Sequence, residues 1–292
     1  MATNNIFDPS ILVKFANLSL IAKTVVEGFI AGLHQSPHRG FSVDFSEHRQ
    51  YTPGEDLRYL DWKVFGKTDR FYVKVYKEET NLKAYILLDI SNSMNYGSKA
   101  VTKLQYGVML ASILSYIMVK QRDSVGLVTF DTDIQEFIHP VSTVSHLQNI
   151  FSSLENITPG KETSIGKVLD KISINIKKRS LVILLSDLMD KQDEIMRGLS
   201  HFRHRHNEVI VLHLLDPAEL QFPFTGDCEF QDMENGEKVL AGTSYLKDVY
   251  LKLMKEFILS IRKGCGEKRI EYATTSTDTL FDSFLYNYLK SR

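Results

Sequence analysis

With 292 residues, 43% hydrophobic and 24% charged, the chain is long enough for one large core or two modest ones, and its composition excludes a disordered or fibrous protein. A formal net charge of −1 leaves no basic excess, which argues against a dedicated nucleic-acid binder. Two cysteines, Cys228 and Cys265, without C-x-x-C spacing suit a reducing compartment and read as structural.

The N-terminal "MATNNIFDPS" lacks the basic and apolar regions of a secretory signal. After it, Ile11, Leu12, Phe15, Leu18, Ile21, Ala22, Val25, Phe29 and Ile30 recur near a helical period, so one amphipathic helix is predicted over 9–33, started by "DPS". Lys14, Lys23 and Glu27 interrupt it, leaving it short of the ~20 apolar residues that span a bilayer. The expectation is a cytoplasmic protein with no membrane span.

Residues 41–80 are dense in charges and aromatic rings, and "RFYVKVYKEE" alternates like a strand. Here Arg49, Asp56, Arg58, Asp61 and Trp62 could form a docking surface or an internal salt-bridged hairpin.

From Leu82 the pattern changes to short apolar runs separated by amphipathic helices. "AYILLD", "SVGLVTF", "LVILLSD", "EVIVLHLLD" and "RIEYA" read as buried parallel strands, and "DIQEFIHP" as an antiparallel edge strand. Helices fit at about 98–120, 142–155, 164–177, 192–203, 243–263 and 278–290. The predicted fold is α/β: a doubly wound, mostly parallel sheet covered on both faces (81–292), preceded by an N-terminal helix and charged, aromatic extension (1–80).

Asp89 ends the first apolar run and Asp187 the third, so both carboxylates should lie at the crevice outside the carboxyl ends of the strands. Ser91 and Ser93 follow Asp89, and "PGKETSIGKVL" offers Thr163 and Ser164 at a helix start. The set Asp89, Ser91, Ser93, Thr163 and Asp187 is all oxygen, which suits a hard divalent cation, Mg²⁺ first, with Mn²⁺ or Ca²⁺ as alternatives. An Asp or Ser at a strand-to-helix turn can also be a simple helix cap.

D-x-S-x-S after a buried strand, a later Thr and an Asp ending the fourth strand resemble the metal-ion-dependent adhesion site of von Willebrand factor A domains. The resemblance implies that Ser91, Ser93 and Thr163 coordinate the ion directly. Asp89 and Asp187 would act mostly through water, and a partner's Asp or Glu would complete the octahedron. "DFSEHRQYTPGEDLRYLDWK", with Glu55 and Leu60 as departures, and "LLDPAELQFPF" are similar to the MoxR-associated A-domain family. That similarity implies a partner among MoxR-type AAA+ ATPases and a role in assembling or activating protein complexes.

His201, His204 and His206 invite a zinc reading, but offsets of three and five put at most two on one helical face, beside Arg203 and Arg205. "TPGKET" lacks the first glycine of a phosphate loop and has Glu162 where a hydroxyl should follow Lys161, so no nucleotide is expected. No G-x-S-x-G elbow is present, and Ser91 and Ser93 have no committed base. The sequence therefore favours a non-enzymatic, cation-dependent protein-binding module. The alternatives are a metal-assisted hydrolase on the same oxygens and a scaffold with a vestigial site.

Overall fold

The computed structural model describes residues 7–15, 17–35, 48–50, 72–74, 82–160, 165–231 and 237–290; side chains of residues 31–81, 244, 245 and 288–290 lie outside that description. The chain divides into two compact units, one of Met1–Ile30 with Leu82–Arg292, the other of Ala31–Asn81. In the smaller unit β1 (His48–Gln50) pairs antiparallel with β2 (Tyr72–Lys74), His48 opposite Lys74. The possible docking surface of Arg49, Asp56, Arg58, Asp61 and Trp62 falls on side chains outside the described set.

The helix expected over 9–33 is two helices, α1 (Pro9–Leu12) and α2 (Leu18–Gln35). Asp8 caps the first, its Oδ1 accepting from the Ser10 amide at 2.8 Å, and Asn17 opens the second by accepting from the Leu20 amide at 2.8 Å. A second capping residue inside an apolar period resets the helix without disturbing the pattern of buried side chains. The Leu18 amide donates to Glu155 at 3.1 Å, and the Phe281 amide donates to the Phe7 carbonyl at 3.1 Å, so this N-terminal stretch is bonded to the sheet unit.

The large unit is a six-stranded sheet. Its strands are β3 (Lys83–Asp89), β4 (Ser124–Phe130), β5 (Ile134–Val141), β6 (Leu181–Ser186), β7 (Glu208–Leu215) and β10 (Glu271–Ser276), in the spatial order β10-β7-β6-β3-β4-β5. All neighbours are parallel except β4 and β5. That is the doubly wound order, with the antiparallel strand at one edge as the sequence predicts. The central strands form because their side chains are buried on both faces, which rewards β-branched and leucine runs without alternation. The helices are α3 (Lys103–Lys120), α4 (Val144–Glu155), α5 (Ile165–Asn175), α6 (Gln192–His204), a short α7 (Pro217–Gln221), α8 (Thr243–Glu267) and α9 (Phe281–Lys290).

One face of the sheet, with Tyr85, Leu87, Val128 and Val182, packs in a single cluster with Leu169, Leu199, Phe202 and Ile261 from α5, α6 and α8. On the other face α3 comes down closely, because Gly107 leaves no side chain between it and the strands. A Cβ there would stand 3.0 Å from Leu88 Cδ1 and 3.2 Å from Leu214 Cδ1. Helix α3 starts at Lys103 and not near 98, because Thr102 and Gln105 form a reciprocal capping box; residues Asn92–Asn95 make a separate 3₁₀ turn. The sequence reading did not anticipate the antiparallel pair β8 (Asp227–Gln231) and β9 (Lys238–Gly242), in which Phe230 lies opposite Val239. Both cysteines are free thiols; burial pushes Cys265 up to about 12, which leaves it uncharged and unreactive.

Candidate functional site

Strands β3 and β6 are neighbours although β4 and β5 separate them in sequence, so the direction of winding reverses between them and opens a crevice at their carboxyl ends. Asp89 is the last residue of β3, and Asp187 follows the last residue of β6. Both are shut away from solvent, at 0% and 1% exposure, and Ser91 is buried beside them. The Ser91 and Ser93 hydroxyls are hydrogen-bonded to each other, their oxygens 3.1 Å apart. Thr163, the fifth expected member, lies outside the described residues. Three residues before it, the Gly160 amide donates to the Ile90 carbonyl at 2.6 Å, next to the end of β3.

Each carboxylate is held by the protein. Asp89 Oδ1 accepts from the Ser91 amide at 3.0 Å and Oδ2 from the Ser186 hydroxyl at 2.6 Å. Ser186 Oγ also accepts from the Leu188 amide at 2.9 Å, so one hydroxyl ties the ends of two strands together. Leu188 is buried in the left-handed region, φ 54°, which non-glycine residues rarely occupy and which surrounding contacts must hold in place. Burial first, and then the charge of Asp187, push the Asp89 carboxyl up to about 7. Two buried carboxylates side by side repel, and a cation between them removes that repulsion.

Four residues at the site were not anticipated. Lys103, 1% exposed, donates to Asp187 Oδ2 at 2.7 Å and to Glu219 Oε1 at 2.6 Å. Burial works against this ammonium, but the two carboxylates outweigh it and hold its pKa above the ordinary lysine value. Glu219 is also the capping-box residue of α7, its Oε2 accepting from the Asp216 amide at 2.7 Å. His213, on β7, sits beneath the Asp187 turn, with Nε2 2.8 Å from the Asp187 carbonyl and Nδ1 2.7 Å from the Tyr272 hydroxyl. Burial drives it down to about 4, so it is neutral; Nε2–H donates to the carbonyl and Nδ1 accepts from tyrosine. Ser186 is the fourth. A lysine in the first turn of a helix and a lone histidine in an apolar strand were the available signals, and neither names its partner.

The hydroxyl pair fits a small hard cation. An octahedron with ~2.1 Å bonds has edges of about 3.0 Å, so two adjacent oxygens 3.1 Å apart have the spacing of two cis ligands. Among the described residues no three His, Cys, Asp or Glu side chains gather as a metal cluster. That covers the histidines of α6 as well; His201 lies 3.5 Å from Asp170 as a surface pair. Among the described residues no helix is long and apolar enough to cross a membrane.

Beside the crevice runs a groove of about 690 Å³, lined by Ser93, Lys103 and Glu219 and by the aromatic and apolar side chains of Tyr96, Phe222 and Leu253. Phe222 is itself left-handed, φ 45°, and packs 4.9 Å from the Tyr250 ring and 5.1 Å from Phe224, centroid to centroid.

Comparison with known proteins gives relatives and structural neighbours. The chain is 23% identical over 239 residues to the uncharacterized protein Rv1480 of Mycobacterium tuberculosis, covering 81% of this chain and 75% of that one. The crystal structure of conserved hypothetical protein BatB from Bacteroides thetaiotaomicron is similar over 72% of this chain and 98% of its own, at 18% identity and a TM-score of 0.49. The SpRpn10 VWA domain is similar over 71% of this chain and 94% of its own, at 11% identity and a TM-score of 0.41. The model of the family described as "Protein of unknown function DUF58" matches residues 47–255, and the chain belongs to that family.

Proposed function

We propose that this chain is a non-enzymatic, cation-dependent protein-binding module of the cytoplasm. A divalent ion, Mg²⁺ above others, would be held at the crevice by the Ser91 and Ser93 hydroxyls together with Thr163. Asp89 and Asp187 would stand behind as outer carboxylates. The observation that carries the reading is the pair of hydroxyl oxygens 3.1 Å apart in front of two buried carboxylates at the winding reversal. Such an ion, bonded mainly to neutral oxygens, supplies uncompensated positive charge that attracts a foreign carboxylate.

The chain's own residues do the rest. Ser186 fixes Asp89, His213 fixes the carbonyl of Asp187, and Ser93 forms part of both the crevice and the groove beside it. A partner segment carrying an Asp or Glu next to bulky apolar side chains fits that continuity of polar rim and aromatic wall. The sequence resemblance supplies the candidate: a MoxR-type AAA+ ATPase, or a client protein that it remodels.

The test is capture of the candidate ATPase by the full chain with Mg²⁺ and with EDTA, beside calorimetric titration with MgCl₂. Capture should need the ion, and Ser93→Ala should weaken both ion and partner binding while leaving thermal unfolding cooperative, because Ser93 is at the strand mouth and outside the core. Equal recovery with and without EDTA, or no ion heat in the wild type, would overturn the reading.

A further inference from the structure

We propose that the Lys103 ammonium is the built-in cation of the crevice and limits how tightly a divalent ion binds there. The inference rests on the metal reading above and concerns a residue which that reading does not use.

Lys103 is the first residue of α3, directly after the Thr102 cap. The free amides of a first helical turn carry positive partial charge, so a cation there is opposed by its own helix as well as by loss of water. It stays because Asp187 and Glu219 lie 2.7 and 2.6 Å away. The second oxygen of each is occupied too: Asp187 Oδ1 accepts from the Met189 amide at 3.2 Å, and Glu219 Oε2 from the Asp216 amide. No loose surface pair is bonded in this way; the ammonium is a clamp between the end of β6 and the start of α7.

The consequence for an arriving ion is electrostatic. Among the described residues, Asp187 is a charged group whose field acts on Asp89, and half of its carboxylate already faces Lys103. An ion in the crevice is left with hydroxyls, water and Asp89, so it is held less tightly and keeps more of its charge for an external carboxylate. Without the ammonium, Asp187 would offer the ion an uncompensated oxygen. Ca²⁺, which takes more carboxylate oxygens than Mg²⁺, would gain most.

The experiment is calorimetric titration of the full chain with MgCl₂ and CaCl₂ in wild type, Lys103→Met, Lys103→Arg and the double variant Lys103→Met/Glu219→Gln. The double variant removes one charge of each sign, and it carries the comparison if Lys103→Met alone does not fold. Removing the ammonium should tighten Mg²⁺ binding about tenfold or more and Ca²⁺ binding further, while Lys103→Arg should stay within about threefold of wild type. A merely structural lysine would leave affinity and the Mg²⁺/Ca²⁺ ratio unmoved in every variant that folds. Heat in the methionine variants but none in the wild type would support the inference and remove the metal reading of the native protein, since the lysine would then stand in place of the ion. Equal or weaker binding without the ammonium, or no heat in any variant, would overturn it.

Discussion

Asp187→Asn is expected to lower stability by ~1–3 kcal/mol in ion-free buffer, the usual cost of losing a charge-assisted buried hydrogen bond, because the Lys103 ammonium keeps Glu219 as its remaining carboxylate. The substitution keeps the shape and an acceptor for the Met189 amide. It removes the charge that, with Glu219, holds a fully enclosed ammonium in place. Urea denaturation with an unchanged slope and a lower midpoint would register the loss as stability and not as a change of state. The double variant Asp187→Asn/Lys103→Met should recover part of it, because the enclosed ammonium leaves with the carboxylate while Glu219 keeps only its bond from the Asp216 amide. A double-mutant cycle showing no coupling, or a loss below ~1 kcal/mol, would mean that the pair is better hydrated than its enclosure implies.

Deleting everything before Asn81 is expected to cost the fold altogether. Leu12, Leu18, Ile21, Val25, Val26 and Phe29 are each no more than 8% exposed, and this stretch belongs to the same compact unit as the sheet. At ~1.5–3 kcal/mol for each large apolar side chain, an upper range, the total is comparable to the whole ~5–15 kcal/mol by which a domain is usually stable. The truncated protein should be insoluble or should bind ANS and lose its near-ultraviolet dichroism, and a peptide of residues 1–35 added in trans should restore cooperative unfolding. A soluble truncation that melts cooperatively at the full-length midpoint would show those helices to be dispensable.

The strands from "AYILLD" to "EVIVLHLLD" were legible because a strand buried on both faces announces itself as an unbroken apolar run, and Asp89 and Asp187 were legible as the polar residues that end such runs. Ser91 and Ser93 followed by spacing alone. Lys103 was hidden because its partners lie 84 and 116 positions away, and no local pattern encodes a contact over that separation. Glu219 is the capping-box residue of α7, and its second role, on Lys103, exists only in three dimensions. The affiliation of α2 was equally invisible, since periodicity marks an apolar face without naming what covers it. Strand β8 has only alternate half-buried positions and β9 a single one, too weak a period to stand out in a polar stretch.

Ser186 also bears on how fast the site can work. Its hydroxyl joins Asp89 to the backbone at Leu188, so both strand ends are already fastened before any ion arrives. If the proposed ion binds here, no rearrangement of the Asp89 carboxylate need precede its entry, and the slow step would be the ion's release of its own water, which Mg²⁺ gives up reluctantly. Stopped-flow mixing should then give association rates that follow the identity of the ion, Mn²⁺ ahead of Mg²⁺, and that do not change with solvent viscosity. A single viscosity-dependent rate common to both ions would place the delay in the chain.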